Sequence, residues 1–212
     1  MLNRFNALAA LILLALPQAY AIDYRELSRA DGTPIYYTLD TPAGDTSGLL
    51  VLSQGSGCAR AASNPNLAIV RAAFPDYAAL IVEKIGITPD VEISDPFGDC
   101  PAQFYDNYTV SQRVADYRTV LNALAADPAV NIANTILFGG SEGGLAMAML
   151  AERVPVNATI LLSTATGETF GDMVLSTVPP EAQEQVRSGF EMARNNPQSS
   201  ERLGGSTYRF WA

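Results

Sequence analysis

The stretch ILFGGSEGGLAMAML, residues 136–150, joins an apolar run to a run of small helix-forming residues through a cluster of glycines. Its centre, GGSEG at residues 139–143, matches the pattern G-x-S-x-G. That pattern places a serine on a sharp turn between a strand and a helix, where its hydroxyl can attack a carbonyl carbon. Ser141 is therefore a candidate nucleophile.

The flanking residues are small for a physical reason. A nucleophile on such a turn has a strained backbone, and its neighbours must approach the adjacent strand and helix closely. Side chains are missing on both sides of the serine, at Gly139, Gly140, Gly143 and Gly144. Phosphate-binding loops require a Gly-Lys-Ser/Thr run or the spacing G-x-G-x-x-G, and this segment has neither. A glycine-rich turn without chemistry stays open as the alternative.

Apolar runs and amphipathic stretches alternate along the chain. We predict strands at 34–39, 49–53, 78–83, 135–138 and 158–162, and helices at 66–74, 109 to about 127, 142–153 and 180–195. This alternation is typical of an α/β fold with a mostly parallel sheet. In such sheets the active site lies at the carboxyl ends of the strands, where the two glycine-rich segments of this chain fall.

Acyl transfer also needs N–H donors for the developing oxyanion. One is the backbone N–H of the residue after the nucleophile, here Glu142, and the other comes from the loop after an earlier strand. The stretch LLVLSQGSGC, residues 49–58, supplies such a loop, in which Gly55 and Gly57 allow N–H groups to turn inward. A simple surface turn is the alternative for this segment.

Together, the QGSG and GGSEGG segments resemble the α/β-hydrolase family, and the resemblance covers most of the chain after residue 21. It implies a mostly parallel sheet flanked by helices. It also implies that Ser141 is the nucleophile and that the N–H groups of Glu142 and Ser56 form the oxyanion hole. The expected reaction is hydrolysis of an ester, thioester or peptide bond of a small-molecule or peptide substrate through an acyl-enzyme. No cofactor or metal is expected. Family members often have histidine where Gln54 stands.

The larger departure from the family is that the sequence contains no histidine. The family's triad runs Ser, then Asp or Glu, then His along the chain. We therefore expect a fold that is incomplete at its C-terminus, with residues 171–212 as part of a cap and the base and acid beyond residue 212. Glu168 and Asp172 are weak candidates for the acid. For Lys84, a structural ion pair is favoured over a Ser-Lys arrangement. A catalytically inactive binding protein, or a non-functional remnant, is the alternative.

The N-terminus is typical of a secretory signal. Arg4 precedes a ten-residue apolar run at 7–16, and Ala19-Tyr20-Ala21 matches the small-x-small cleavage pattern. The run is shorter than the roughly 20 residues that a membrane-spanning helix needs, although an uncleaved anchor stays possible. We predict a signal at 1–21, one domain at 22–212, and a periplasmic or secreted protein.

Two further features of the composition concern the state of the cysteines and the partners of the protein. The chain has two cysteines, Cys58 and Cys100, which we expect to form a disulfide in an exported protein, with two free thiols as the alternative. A formal net charge of −9 argues against nucleic acid and anionic membranes as partners.

Overall fold

The computed structural model describes residues 22–128, 130–164, 167 and 169–211, so the expected signal segment lies outside the described residues. A six-stranded sheet in the order β1-β2-β4-β3-β5-β6 forms the centre. The four strands from β4 to β6 run parallel, and β1 and β2 form an antiparallel hairpin at one side. The strands are β1 (Tyr24–Ser28), β2 (Pro34–Asp40), β3 (Gly48–Ser53), β4 (Tyr77–Val82), β5 (Thr135–Gly140) and β6 (Ala158–Leu162).

Helices lie on both faces of this sheet, and a small two-stranded hairpin precedes the last one. The helices are α1 (Pro65–Ala72), α2 (Ala102–Asn107), α3 (Val110–Leu124), α4 (Glu142–Ala151), α5 (Phe170–Thr177), α6 (Pro180–Asn195) and α7 (Tyr208–Trp211). The hairpin consists of β7 (Arg202–Leu203) and β8 (Ser206–Thr207). The predicted α/β class with a mostly parallel sheet is confirmed.

Most predicted elements agree with the structure within two or three residues. The bounds of β6 and α6 are as predicted, while α3 ends at Leu124 instead of near residue 127, and α4 ends at Ala151 instead of residue 153. The prediction missed β1, the short elements β7, β8 and α7, and the two helices α2 and α5. These two helices contain six and eight residues, too few for a helical period to stand out.

The helix α3 begins with a side-chain cap and has one apolar face. The side chain of Thr109 accepts a hydrogen bond from the backbone N–H of Gln112 at 3.0 Å, which caps the helix. The apolar residues that recur at helical spacing are all buried: Val114, Tyr117, Val120, Leu121 and Leu124. This face of α3 packs against one side of the sheet together with α4.

The middle of the sheet is covered on both faces. All six residues of β3 are buried. Alternate side chains of β3 belong to two different clusters, Leu49 and Val51 on the α3–α4 side, Leu50 and Leu52 on the α1 side. A central parallel strand therefore has a continuous apolar sequence, because both of its faces are in contact with helices.

A disulfide joins the loop after β3 to the segment before α2. The Cα atoms of Cys58 and Cys100 are 5.7 Å apart, and the two cysteines are bonded as predicted. Cys58 is fully buried, in a cluster with Ile85, Ile87 and Phe104. The bridge therefore fixes a loop that would otherwise be held only by noncovalent contacts.

We expect the Cys58–Cys100 bridge to stabilise the fold. Its loop closes over a sequence separation of 42 residues. Replacing both cysteines with alanine should lower the free energy of unfolding by about 3–4 kcal/mol in the chain-entropy model. Urea unfolding of the two proteins measures this difference. Thiol titration of unreduced, denatured wild-type protein from an oxidising compartment should find no free thiol; finding two would contradict the bridge.

Candidate functional site

Ser141 lies on the turn between β5 and α4, at the carboxyl end of the parallel strands. Its backbone has φ 52° and ψ −128°, a conformation that residues with a side chain rarely adopt. Holding a non-glycine residue there costs about 1–3 kcal/mol, so the surrounding structure must enforce it. The Ser141 N–H donates to the carbonyl oxygen of Leu162 at 2.9 Å, which ties the turn to β6.

Three of the neighbouring glycines are sterically required. A Cβ at Gly139 would lie 2.3 Å from the carbonyl oxygen of Gly143, and one at Gly143 would lie 2.3 Å from that of Gln54. A Cβ at Gly144 would lie 2.7 Å from the Cβ of Thr164. Backbone atoms of β5, α4 and the loop after β3 therefore approach one another closely around the serine.

Gly140 differs from the other three glycines. Its nearest neighbour, the carbonyl oxygen of Leu162, would be 3.8 Å from an added Cβ, an ordinary van der Waals distance. Sequence reasoning treated the four glycines alike, because the pattern does not show which one is in close contact.

The loop at residues 54–57 lies directly against the nucleophile candidate. A Cβ at Gly55 would be 3.4 Å from the Cβ of Ser141. Gly57 has φ 86°, and a Cβ there would lie 2.9 Å from the carbonyl oxygen of Pro96. Within the described residues, no protein acceptor takes a hydrogen bond from the backbone N–H of Ser56 or of Glu142. Both groups are thus available to a ligand, although their role as an oxyanion hole stays a prediction.

Two cavities flank this loop. One of about 450 Å³ contains Ser141 and Gly55, and its apolar wall comes from α1, β5 and β6 through Leu67, Ile69, Val70, Phe138 and Leu162. The other, of about 180 Å³, lies beside Ser56 and Glu142 and has an aromatic wall of Phe97, Phe104, Tyr105, Tyr108, Phe210 and Trp211. A larger cavity of about 530 Å³, around Arg60 and Glu92, does not include Ser141.

The side chain of Glu142 is part of a buried charge cluster that sequence reasoning missed. Its Oε1 lies 3.1 Å from Lys84 Nζ and 3.5 Å from Arg113 Nη1, and it also accepts a hydrogen bond from the Tyr108 hydroxyl. The sequence suggested Glu142 mainly as a backbone donor. The structural ion pair expected for Lys84 is confirmed, and Glu142 is its partner.

One signal could have pointed to part of this cluster. Arg113 is four, seven and eleven residues before Tyr117, Val120 and Leu124, so it shares their buried helical face. A cation on an apolar face needs a buried anion. The sequence offered no means of choosing which one, because that depends on how α3 packs against α4.

Burial and the neighbouring charges have opposite effects on the pKa of Glu142, and also on that of Lys84. Burial tends to raise the pKa of Glu142, but Lys84 and Arg113 outweigh it and lower that pKa, so the carboxylate stays ionised. Burial lowers the pKa of Lys84 to about 7, while the charge of Glu142 opposes this shift. Burial also raises the pKa of Tyr108, so its hydroxyl stays protonated and can donate.

The structure does not bring Asp172 to the nucleophile candidate. Asp172 is exposed in the first turn of α5, and its carboxylate accepts a hydrogen bond from the Thr169 hydroxyl at 2.7 Å. It lines a cavity between α5 and α6 that does not include Ser141. Glu168, the other acid considered, lies outside the described residues.

Neither a metal-binding cluster nor a membrane-spanning helix is found in the described part of the chain. Among the residues that the structure describes, no three His, Cys, Asp or Glu side chains are grouped so as to hold a metal ion. In the same part of the chain, no helix has the length and apolar character needed to cross a membrane.

Comparison with known proteins supports the fold. No family model and no curated protein matches the sequence. Solved structures do match, among them DcsB in complex with its substrate analogue, with 16% identity, 85% of this chain covered, 55% of that chain covered and a TM-score of 0.57. The α/β hydrolase GrgF from Penicillium sp. sh18 matches with 16% identity, coverage of 89% and 62%, and a TM-score of 0.53.

A third match is Est1E from Butyrivibrio proteoclasticus, with 17% identity, coverage of 74% and 56%, and a TM-score of 0.52. The chain has the α/β-hydrolase fold. It spans between 55% and 62% of the length of these three structures. At such low identity the likeness concerns the fold and leaves the activity to be proposed.

The close approach around Ser141 predicts a sharp difference between two glycines. Gly143→Ala puts a methyl group onto two backbone carbonyl oxygens and should lower the free energy of unfolding by about 3 kcal/mol or more. Gly140→Ala, the matched control, should change it by less than about 1 kcal/mol. Urea unfolding measures both. Equal stability of the two variants would contradict the described packing.

The buried cluster predicts that Glu142→Gln is strongly destabilising. The change leaves Lys84 and Arg113 in the interior without their anion, and such a loss costs about 3–5 kcal/mol. Glu191→Gln is the control, because the exposed pair of Glu191 and Arg194 should contribute less than about 1 kcal/mol. Urea unfolding compares the two variants, and similar midpoints would show that the cluster is not held as described.

Proposed function

We propose that this chain carries the nucleophile of a serine hydrolase that acts on an ester, thioester or peptide bond through an acyl-enzyme on Ser141. The observation that carries the proposal is the left-handed backbone of Ser141 at the carboxyl edge of the sheet. Strain of this kind persists only where surrounding structure enforces it, and it is concentrated at active sites. The neighbouring N–H groups of Ser56 and Glu142, which have no acceptor within the described residues, can donate hydrogen bonds to a ligand oxygen.

In the proposed reaction, Ser141 Oγ bonds to the carbonyl carbon of the substrate while its proton passes to a general base. The carbonyl electrons move onto the oxygen, which accepts hydrogen bonds from the N–H groups of Ser56 and Glu142. Collapse of this intermediate breaks the bond to the alcohol, thiol or amine, which leaves with the proton. Water then repeats the sequence on the acyl-enzyme and releases the acid.

The general base is proposed to be a histidine outside these 212 residues, accompanied by the acid of the triad. The sequence contains no histidine, and a serine without a base is a weak nucleophile near neutral pH. The similar structures are also longer than this chain. These 212 residues alone are therefore expected to hydrolyse simple esters at no more than a residual rate.

The substrate is proposed to be a small acyl compound or a peptide. The cavity that contains Ser141 has an apolar wall, which suits an acyl group. Among the similar structures, Est1E was solved with ferulic acid bound and DcsB with a substrate analogue, and both are consistent with a small-molecule substrate. We also propose export of the protein, which the apolar run at 7–16 and the Cys58–Cys100 bridge support.

A second candidate function is a binding protein on the same scaffold. The absence of histidine favours it, because a cavity with free N–H donors binds a carboxylate or a carbonyl without any chemistry. The two candidates differ in whether Ser141 reacts covalently.

Covalent labelling of the protein produced from its complete gene separates the two functions. A fluorophosphonate probe should label Ser141 as fluoride leaves, and mass spectrometry should locate the label. Ser141→Ala should remove it. Ser163→Ala is the matched control, because Ser163 lines the same cavity and also has a positive φ, 49°.

The 212-residue chain should react at least about 10³-fold more slowly than the complete protein, since it lacks the base. No label on Ser141 in the complete protein would overturn the hydrolase proposal and favour the binding protein.

A further inference from the structure

Lys84 has an unusual environment at the end of β4. Its side chain is fully buried, and its ammonium group donates three hydrogen bonds: to the carbonyl oxygens of Gly55 and Gly57, both at 2.7 Å, and to Glu142 Oε1 at 3.1 Å. In its charged form the Lys84 side chain has three donors, and each of them is used on the residues around Ser141.

The contact with Gly55 fixes the direction of the next N–H. In a planar trans peptide the carbonyl and the following N–H point in opposite directions, and the described residues contain no cis peptide. Because the Gly55 carbonyl points at Lys84, the Ser56 N–H points away from it, to the other side of the loop. The same geometry holds at Gly57, where the Cys58 N–H points away from Lys84 and donates to Pro96.

The Cys58–Cys100 bridge anchors the end of this loop, but it does not determine the direction of the Gly55 carbonyl. Glycines at 55 and 57 leave the peptide groups of the loop free to rotate, and Gly57 already has a positive φ. Arg113 Nη2 holds the Gln54 carbonyl at 2.8 Å, but no further contact holds the carbonyl of Gly55 in the described part of the chain. Without the ammonium group the peptide between Gly55 and Ser56 would be free to turn over.

Lys84 also reaches the second N–H donor. Glu142 provides that donor with its backbone and accepts the Lys84 ammonium with its side chain. Lys84 Nζ is thus hydrogen-bonded to Glu142 and to the two residues that flank Ser56 in the chain.

We propose that Lys84 is the positioning residue of the oxyanion hole, holding the Ser56 and Glu142 N–H groups at a fixed separation without touching the substrate. The inference rests on the proposed hydrolase function. Stability alone does not account for a lysine here. Burying an ammonium group costs several kcal/mol before its contacts offset that loss, and apolar packing of similar volume is often as stable.

The test uses the protein produced from its complete gene, with p-nitrophenyl acetate as the substrate. Lys84→Met keeps the volume of the side chain and removes its donors, while Glu142 keeps its contacts with Arg113 and Tyr108. Loss of one oxyanion donor lowers kcat by about 10²–10³-fold, so we expect a fall of about 10²-fold in kcat with KM changed by less than about threefold. A merely structural role would lower the amount of active protein and leave the kcat of each labelled site unchanged.

Two further variants make the result decisive. Lys84→Gln retains a group with two donors, and its kcat should lie between those of the wild type and Lys84→Met. Asp116→Asn is the control for loss of a buried ion pair, since Asp116 pairs with Arg29 at 2.7 Å and has no contact with the loop. It should lower the melting temperature and leave kcat unchanged.

Active sites are counted by fluorophosphonate labelling of Ser141. The same labelling distinguishes a failure of the positioning role of Lys84 from a failure of the hydrolase function. If Ser141 is labelled but Lys84→Met keeps the wild-type kcat per labelled site, the positioning role is wrong and the hydrolase function stands. If Ser141 is not labelled in the wild type, the hydrolase function itself fails. If both Lys84 variants are insoluble while Asp116→Asn folds, Lys84 serves stability and the positioning proposal is overturned.

Discussion

The left-handed backbone of Ser141 persists because three segments meet around it with no side chains between them. The end of β5, the start of α4 and the loop after β3 are separated by distances that leave no room for a methyl group at Gly139 or Gly143. A strained residue needs its neighbours to be rigid, because any freedom in them would let the strain relax. This requirement explains why glycine residues stand on both sides of the serine.

Rigidity at this point is supplied by polar contacts in the interior. Apolar packing determines where α3 and α4 lie, but it has no directional preference for a glycine-rich loop. Hydrogen bonds do have such a preference, and the carbonyls of Gln54, Gly55 and Gly57 each accept one from a buried cation. The carboxylate of Glu142 compensates part of that charge. A polar cluster in the core is expensive to bury, so its place beside the nucleophile is better explained by orientation than by stability.

The sequence predicted the elements that repeat a simple period and the turn that carries a strong local pattern. Residues 158–162 and 180–195 were predicted with their observed bounds, and the helix α3 was predicted to within about three residues of its observed end. An ion pair was expected for Lys84, but its partners Glu142 and Arg113 were not predictable. The three residues come from the segment after β4, from α3 and from α4, far apart in the chain, and only the packing of those elements brings them together. Gly140 is a second example, because a pattern of glycines does not reveal which of them is in close contact with other backbone atoms.

The strand beside the nucleophile, β6, lies at an edge of the described sheet. Within the described residues β6 pairs with β5 alone, and Leu162 at its end is 52% exposed. Yet the carbonyl of Leu162 accepts the hydrogen bond from the Ser141 N–H, and the next residue, Ser163, also has a positive φ. The geometry of the turn therefore depends on an edge strand, and edge strands open more readily than central ones. An element packed on β6 would cover the exposed side chain of Leu162 and would steady the strand that carries this carbonyl. The position of β6 and the geometry of the nucleophile are therefore linked, because the carbonyl of Leu162 belongs to this strand and accepts the hydrogen bond from the Ser141 N–H.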